Sequence, residues 1–165
     1  MTVKRLTRSA FLLALIMVLS FLESMLPPVV SFAPGIRLGL GNIVTMYALF
    51  TIDKKTAFLL NILKSVFVFI TRGATAAALS LTGGILSLIV IIVLSILLKE
   101  RVSYLSLSIL GAVFHNIGQL AAISVLMNNK AAFFYLPVLI VAGTVMGSIT
   151  GTVLNVVMPR LDRIK

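Results

Sequence analysis

From Ile85 to Leu98 the chain runs without a charge, a proline or any alternation of polar and apolar positions. A helix on the surface of a water-soluble domain needs a polar face, and a membrane barrel strand needs alternation, so this run fits neither. It fits a helix in lipid. Similar runs recur at about 9–26, 38–52, 56–72, 83–98, 103–127 and 131–158. A bilayer-spanning helix takes roughly 20 residues; the second and third runs are short by that measure. The expectation is an all-α, polytopic membrane protein with six transmembrane helices, built as one domain over residues 1–165. Composition agrees, with 60% hydrophobic and 11% charged residues and a mean hydropathy of +1.19. Soluble domains carry about a quarter charged residues, so a cytosolic enzyme, a disordered chain and a nucleic-acid binder are all poor fits. With no cysteine there is neither a disulfide framework nor a thiolate metal site.

The breaks between runs are plain. Pro27, Pro28, Pro34 and Gly35 close the first, and Asp53-Lys54-Lys55 separates the second from the third. Arg72-Gly73 ends the third, Lys99-Glu100-Arg101 the fourth, and Asn128-Asn129-Lys130 the fifth. Lys4, Arg5 and Arg8 ahead of an apolar run resemble a signal peptide, but no small-residue cleavage site follows, and the segment reads as a first helix that stays. With the N-terminus inside, ten basic residues fall on cytoplasmic segments and three, Arg37, Arg72 and Lys130, on outer ones. Basic residues gather on the cytoplasmic side of membrane proteins, so both termini are expected there. The same bias accounts for the net charge of +10 without nucleic acid.

Inside a membrane the costly residues are the informative ones. Glu23, Lys64 and His115 fall within spans, and Arg37 and Arg72 sit at the outer ends of the second and third. Asn61, Lys64, Val68 and Arg72 follow steps of 3, 4 and 4, one face of a helix. Lys64 lies about 12 Å inward of Arg72 at 1.5 Å per residue. It must pair with Glu23, or face an anionic ligand in a wet cavity; the spacing leaves both open. His115 and Gln119 share a face one turn apart, with Asn116 beside them. Each of these buried polar groups needs a partner. The stretch Pro34-Gly35-Ile36-Arg37-Leu38-Gly39-Leu40-Gly41-Asn42 allows close backbone approach, and Arg37 can fork a carboxylate or phosphate. Arg37, Asn42, Asn61, Lys64, Arg72, His115, Asn116 and Gln119 are therefore the candidate substrate-binding residues, a cationic and amide-rich set suited to a small anion or an amphiphile with an anionic head. No catalytic residue, metal site or cofactor is expected.

Gly143, Gly147 and Gly151 repeat every four residues in the last span. This is a small-residue packing seam. No glycine-rich phosphate loop ending in Lys-Ser or Lys-Thr is present, so uphill transport would draw on an ion gradient or a partner.

A six-helix protein with cytoplasmic termini and Ala10 and Ala14 early in its first helix resembles the substrate-binding (S) components of energy-coupling factor (ECF) transporters. The resemblance implies that this alanine pair docks on a transmembrane coupling subunit served by ATPases, and that a pocket open to the outside takes a vitamin or similar nutrient. More closely, Pro34-Gly-Ile-Arg-Leu-Gly-Leu-Gly-Asn-Ile-Val-Thr45 is similar to the signature of the family called Gx transporters, also labelled heptaprenyl diphosphate synthase component I. The likeness covers essentially the whole chain, including Lys64 and the His115-Asn116-x-x-Gln119 stretch; that family often carries alanine where this chain has Gly41. Prenyl chain elongation uses Asp-rich motifs that hold magnesium, and this chain has two aspartates, Asp53 and Asp162, both near expected cytoplasmic ends. A binding or transport protein of the bacterial inner membrane, not an enzyme, is the expectation, with a quinone or isoprenoid precursor as the ligand class that the family association implies. Two rivals stand beside it: a stand-alone proton-coupled or facilitative carrier, with Glu23 and His115 as relay, and a membrane scaffold for a prenyl-transferring or electron-transfer complex.

Overall fold

The computed structural model describes residues 3–26, 37, 39–98, 102–128 and 130–162, and among these the secondary structure is helical, with no strand. Helix α1 runs Val3–Ser24, α2 Asn42–Thr51, α3 Lys54–Leu98, α4 Tyr104–Leu126 and α5 Leu136–Asp162, with a 3-10 helix over Lys130–Tyr135 before α5. Four stretches are long and apolar enough to cross a membrane: Val3–Ser24, Lys54–Leu98, Tyr104–Leu126 and Ala131–Met158. The proline-rich turn, residues 34–36 of the glycine-rich segment, the Lys99-Glu100-Arg101 break, Asn129, and Arg163 and Lys165 lie outside the described residues.

The helix ends follow local chemistry. Ser103 caps α4, its side chain accepting the Ser106 N–H at 3.1 Å, as N-cap serines do. Asp53 does the same for α3, taking the Thr56 N–H at 2.6 Å, and its other carboxylate oxygen pairs with Arg5. This ties the start of α1 to the corner between α2 and α3. Pro137 stands in the first turn of α5, where a missing N–H costs nothing.

Three sequence boundaries shift. The second apolar run, read as 38–52, becomes the ten-residue α2. Residues 74–82, left between spans in the sequence reading, are helical, and α3 is 45 residues long. Ala-Thr-Ala-Ala-Ala-Leu is a strong helix-forming sequence, so the interruption shrinks to one residue. That residue is Gly73, at φ 84° and ψ 179°, a conformation closed to other side chains. The start of the last run, from 131, is 3-10 helix and gives way to α5 at Leu136.

The bundle is apolar outside and polar within. Ile70 and Val125 are 76% and 79% exposed, while Glu23 and Lys64 are each 4% exposed. In water that distribution would be unstable; in hydrocarbon it is the favourable one. Hydroxyls on α5 bond back into their own helix, Thr144 to the Ile140 carbonyl and Ser148 to that of Thr144, at 2.9 and 2.8 Å. Helix α4 packs between α3 and α5, and α1 and α2 lie against α3. The seam glycines face α4: a Cβ on Gly147 would stand 2.4 Å from Ile109 Cα, and one on Gly151 2.6 Å from Leu105 Cα. Apolar clusters lie between α1 and α2 (Leu12, Ile16, Val44, Ala48, with Leu60 of α3) and near Met46, Ile91, Leu107 and Leu154. The N-terminal half of α1 borders an open apolar groove of about 740 Å³ lined by Phe11, Leu15, Tyr47 and Val157.

Candidate binding site

Glu23 is the last buried position of α1, placed by the same helical stripe that buries Leu12, Ile16 and Ser20. Lys64 and Asn61 project inward from the first arm of α3, and Arg72 follows two turns beyond Lys64, one residue before the break. His115 and Gln119 come from the middle of α4, one turn apart. Between these walls passes the non-helical backbone around Arg37 and Gly39, which leads into α2 at Asn42.

These groups bond mainly to that backbone. Gln119 holds the Arg37 peptide groups on both sides: its Oε1 accepts the Arg37 N–H at 3.0 Å and its Nε2 donates to the Arg37 carbonyl at 3.1 Å. Gln119 Nε2 also meets His115 Nε2, which makes that ring nitrogen the acceptor. The Glu23 carboxylate accepts the Gly39 N–H. Gly39 has φ +82°, and a Cβ there would lie 2.6 Å from the Asn42 amide and 3.2 Å from the His115 ring. The position admits only glycine on both counts. The Arg37 guanidinium donates to the carbonyls of Glu23 and Leu26.

Lys64 settles one alternative left open by spacing. Its ammonium donates to Asn42 Oδ1 at 2.7 Å, and no direct ion pair joins it to Glu23. Both groups nevertheless line one cavity of about 10 Å³, together with Arg37, Arg72, His115 and Gln119, and with Ser20 and Ser80. That volume holds about one water. A second cavity of about 30 Å³ adjoins it at Gly39 and runs deeper past Asn42, Thr45, Ser87, Ser108 and Thr150.

Five of the eight sequence-derived residues therefore line the polar cavity: Arg37, Lys64, Arg72, His115 and Gln119. Asn42 adjoins it through Lys64. Asn61 and Asn116 stand apart. Asn116 donates to the Leu139 carbonyl at 2.8 Å and serves the contact between α4 and α5. Asn61 is wholly buried against Gly84 with no partner for its amide among the described residues. Ser20, Ser80 and the Gly39 N–H were missed by sequence reasoning. Ser80 lay in the stretch left between the third and fourth runs, and a backbone donor leaves no trace in residue types beyond the glycine itself. Ala10 and Ala14 lie on the exposed face of α1, away from the site.

The family model described as heptaprenyl diphosphate synthase component I matches residues 12–157. The chain belongs to that family. No curated protein and no solved structure matches it. In this member of the heptaprenyl diphosphate synthase component I family, the match spans every residue of the polar cavity, from Ser20 to Gln119. Among the described residues, no cluster of three His, Cys, Asp or Glu side chains could hold a metal.

Proposed function

We propose that this chain is a six-span substrate-binding protein of the S-component type, capturing a small anionic or amphipathic nutrient in the cavity between α1, α3 and α4. The observation that carries the reading is the burial of Lys64 beside Arg37 and Arg72 around one space, within a bundle whose outer surface is apolar. Charges at membrane depth are costly and are kept where they serve an ion or a ligand. Two guanidiniums and an ammonium suit a carboxylate or phosphate head. The ligand class nearest to the family description is a quinone or isoprenoid precursor.

The six spans come from counting the arms of α3 apart. Residues 54–72 and 74–98 would rise about 28 and 37 Å, lengths comparable to a hydrocarbon core of about 30 Å. The short α2 would be completed by the residues ahead of it, since non-helical backbone is tolerated at membrane depth where it is packed in protein. Both termini then lie on one side, and the basic residues make that side cytoplasmic. Uptake is driven by a separate coupling subunit with its ATPases, which docks on the exposed face carrying Ala10 and Ala14. The setting is a bacterial inner membrane, and the chain is not itself an enzyme.

Native mass spectrometry on protein purified gently from its own host tests the reading. An adduct of defined mass that is lost in Lys64→Met and in Arg37→Gln supports it. A chain that carries only lipid and a co-purifying enzyme, in wild type and variants alike, overturns it. That second outcome would favour a scaffold role in a prenyl-transferring complex, the role closest to the family's printed description.

A further inference from the structure

Among the described residues Glu23 is the one acid on this cavity, and its setting differs from that of an ordinary ion-pair partner. It is buried, and three cations share its cavity, yet it forms no direct ion pair with Lys64, Arg37 or Arg72. Among the described residues its carboxylate takes one donor, the Gly39 N–H. A carboxylate has room for about four such bonds, and this one lines the cavity. The donors that an external oxyanion would seek are the same ones: an outward-facing backbone N–H on a left-handed glycine, with positive side chains around it.

We infer that the Glu23 carboxylate is a resident counter-anion, held where the ligand's own oxyanion binds, and that ligand entry displaces it from Gly39. The inference rests on the binding-protein reading above and specifies its substrate class as one bearing a carboxylate or phosphate head. It also accounts for the small volume of the cavity. The space is closed because an anionic group of the protein already fills it and because Gln119 fastens the Arg37 backbone across it. Binding is then an exchange of one anion for another. The three cations never face a dry cavity without a negative charge, an arrangement that would be severely unfavourable. No covalent step is involved: Gly39 exchanges one acceptor for another, and the Glu23 side chain swings away.

The test uses inorganic phosphate, titrated calorimetrically into the purified protein in detergent. Glu23→Gln keeps the shape of the side chain and removes its charge, and is expected to bind phosphate at least tenfold more tightly than wild type. Adding Lys64→Met to that variant is expected to abolish the gain. Glu23→Ala opens a carboxylate-sized hole, and acetate is expected to raise its melting temperature saturably at a concentration at least tenfold lower than wild type requires. Should these variants fail to fold, the wild-type protein labelled at Gly39 still decides the matter: its amide resonance must shift on saturation with phosphate. Equal phosphate affinity in wild type and Glu23→Gln overturns the displacement, as does an unmoved Gly39 amide at saturation. A native adduct lost in Lys64→Met would keep the pocket reading standing in that case. No phosphate binding in any of these proteins, together with no native adduct, overturns both.

Discussion

The two faces of α4 share close backbone packing but differ in the polar groups they carry. Toward α5 the contact is backbone on backbone, with Gly147 and Gly151 leaving no room for a methyl group against Ile109 and Leu105. Toward α3 glycines also bring backbones close, a Cβ on Gly118 standing 2.9 Å from Gly83 Cα. On this side, however, His115 and Gln119 also bond through their side chains, Gln119 to the non-helical backbone at Arg37 and His115 to Gln119. In lipid there is no hydrophobic force between helices, so close packing of small residues supplies much of the cohesion. The α4–α5 face is therefore the stable platform. The other face adds exchangeable side-chain bonds to its packing, as the proposed binding site would use.

Substitutions break the comparison at different strengths. The largest effect is expected for Gly147→Leu, whose side chain has no space beside Ile109; folded protein should be lost, as read by monodispersity after extraction. Gly147→Ala forces the same contact by one carbon and is expected to cost about 2–3 kcal/mol, in the range of overpacked cores, by unfolding in mixed micelles. On the polar face, Lys64→Met is expected to lower ligand retention more than tenfold by native mass spectrometry and, because it leaves Asn42 Oδ1 without its donor, to cost about 1–3 kcal/mol by unfolding in mixed micelles. Gln119→Ala leaves the Arg37 peptide groups without their side-chain partner at about 1–2 kcal/mol. Faster amide exchange at residues 37–41, with the rest of the bundle unchanged, would mark it as a local latch. The smallest effect is expected for Asn116→Ala, about 1 kcal/mol from one interhelical bond, with ligand retention intact. Loss of the ligand in that variant would return Asn116 to the site and erase the distinction between the faces.

Sequence and structure agree where cost in lipid is the signal. Lys64, His115 and Gln119 stand out because hydrocarbon penalises them, and each lines the cavity. What could not be read was phase and partner. Asn116 follows His115 by one residue, a rotation of about 100° on a helix, which carries it from the polar cavity to the α5 side. Gln119 and Arg37 are 82 positions apart, and the acceptor and donor on Arg37 are backbone atoms common to every residue. Glu23 was visible as a lone acid, but its bond to Gly39 depends on a backbone turn set by tertiary packing. The helix over 74–82 was hidden by Gly73, which looks like the start of a loop and turns out to be a single break in α3.

Helix α2 is ten residues long. At 1.5 Å per residue it covers about 15 Å, half the apolar thickness of a bilayer. Ahead of it the described backbone at 37 and 39–41 is non-helical and is bonded to Glu23 and Gln119. Under the binding-protein proposal, lifting of that backbone would admit water, and the membrane voltage would then concentrate along α2 instead of falling evenly across the full depth. An anion seated at Asn42 would then stand near the bottom of a wet vestibule and feel most of the transmembrane field, worth about 2.3 kcal/mol per charge for each 100 mV. Occupancy of such a site would depend on voltage as well as on concentration.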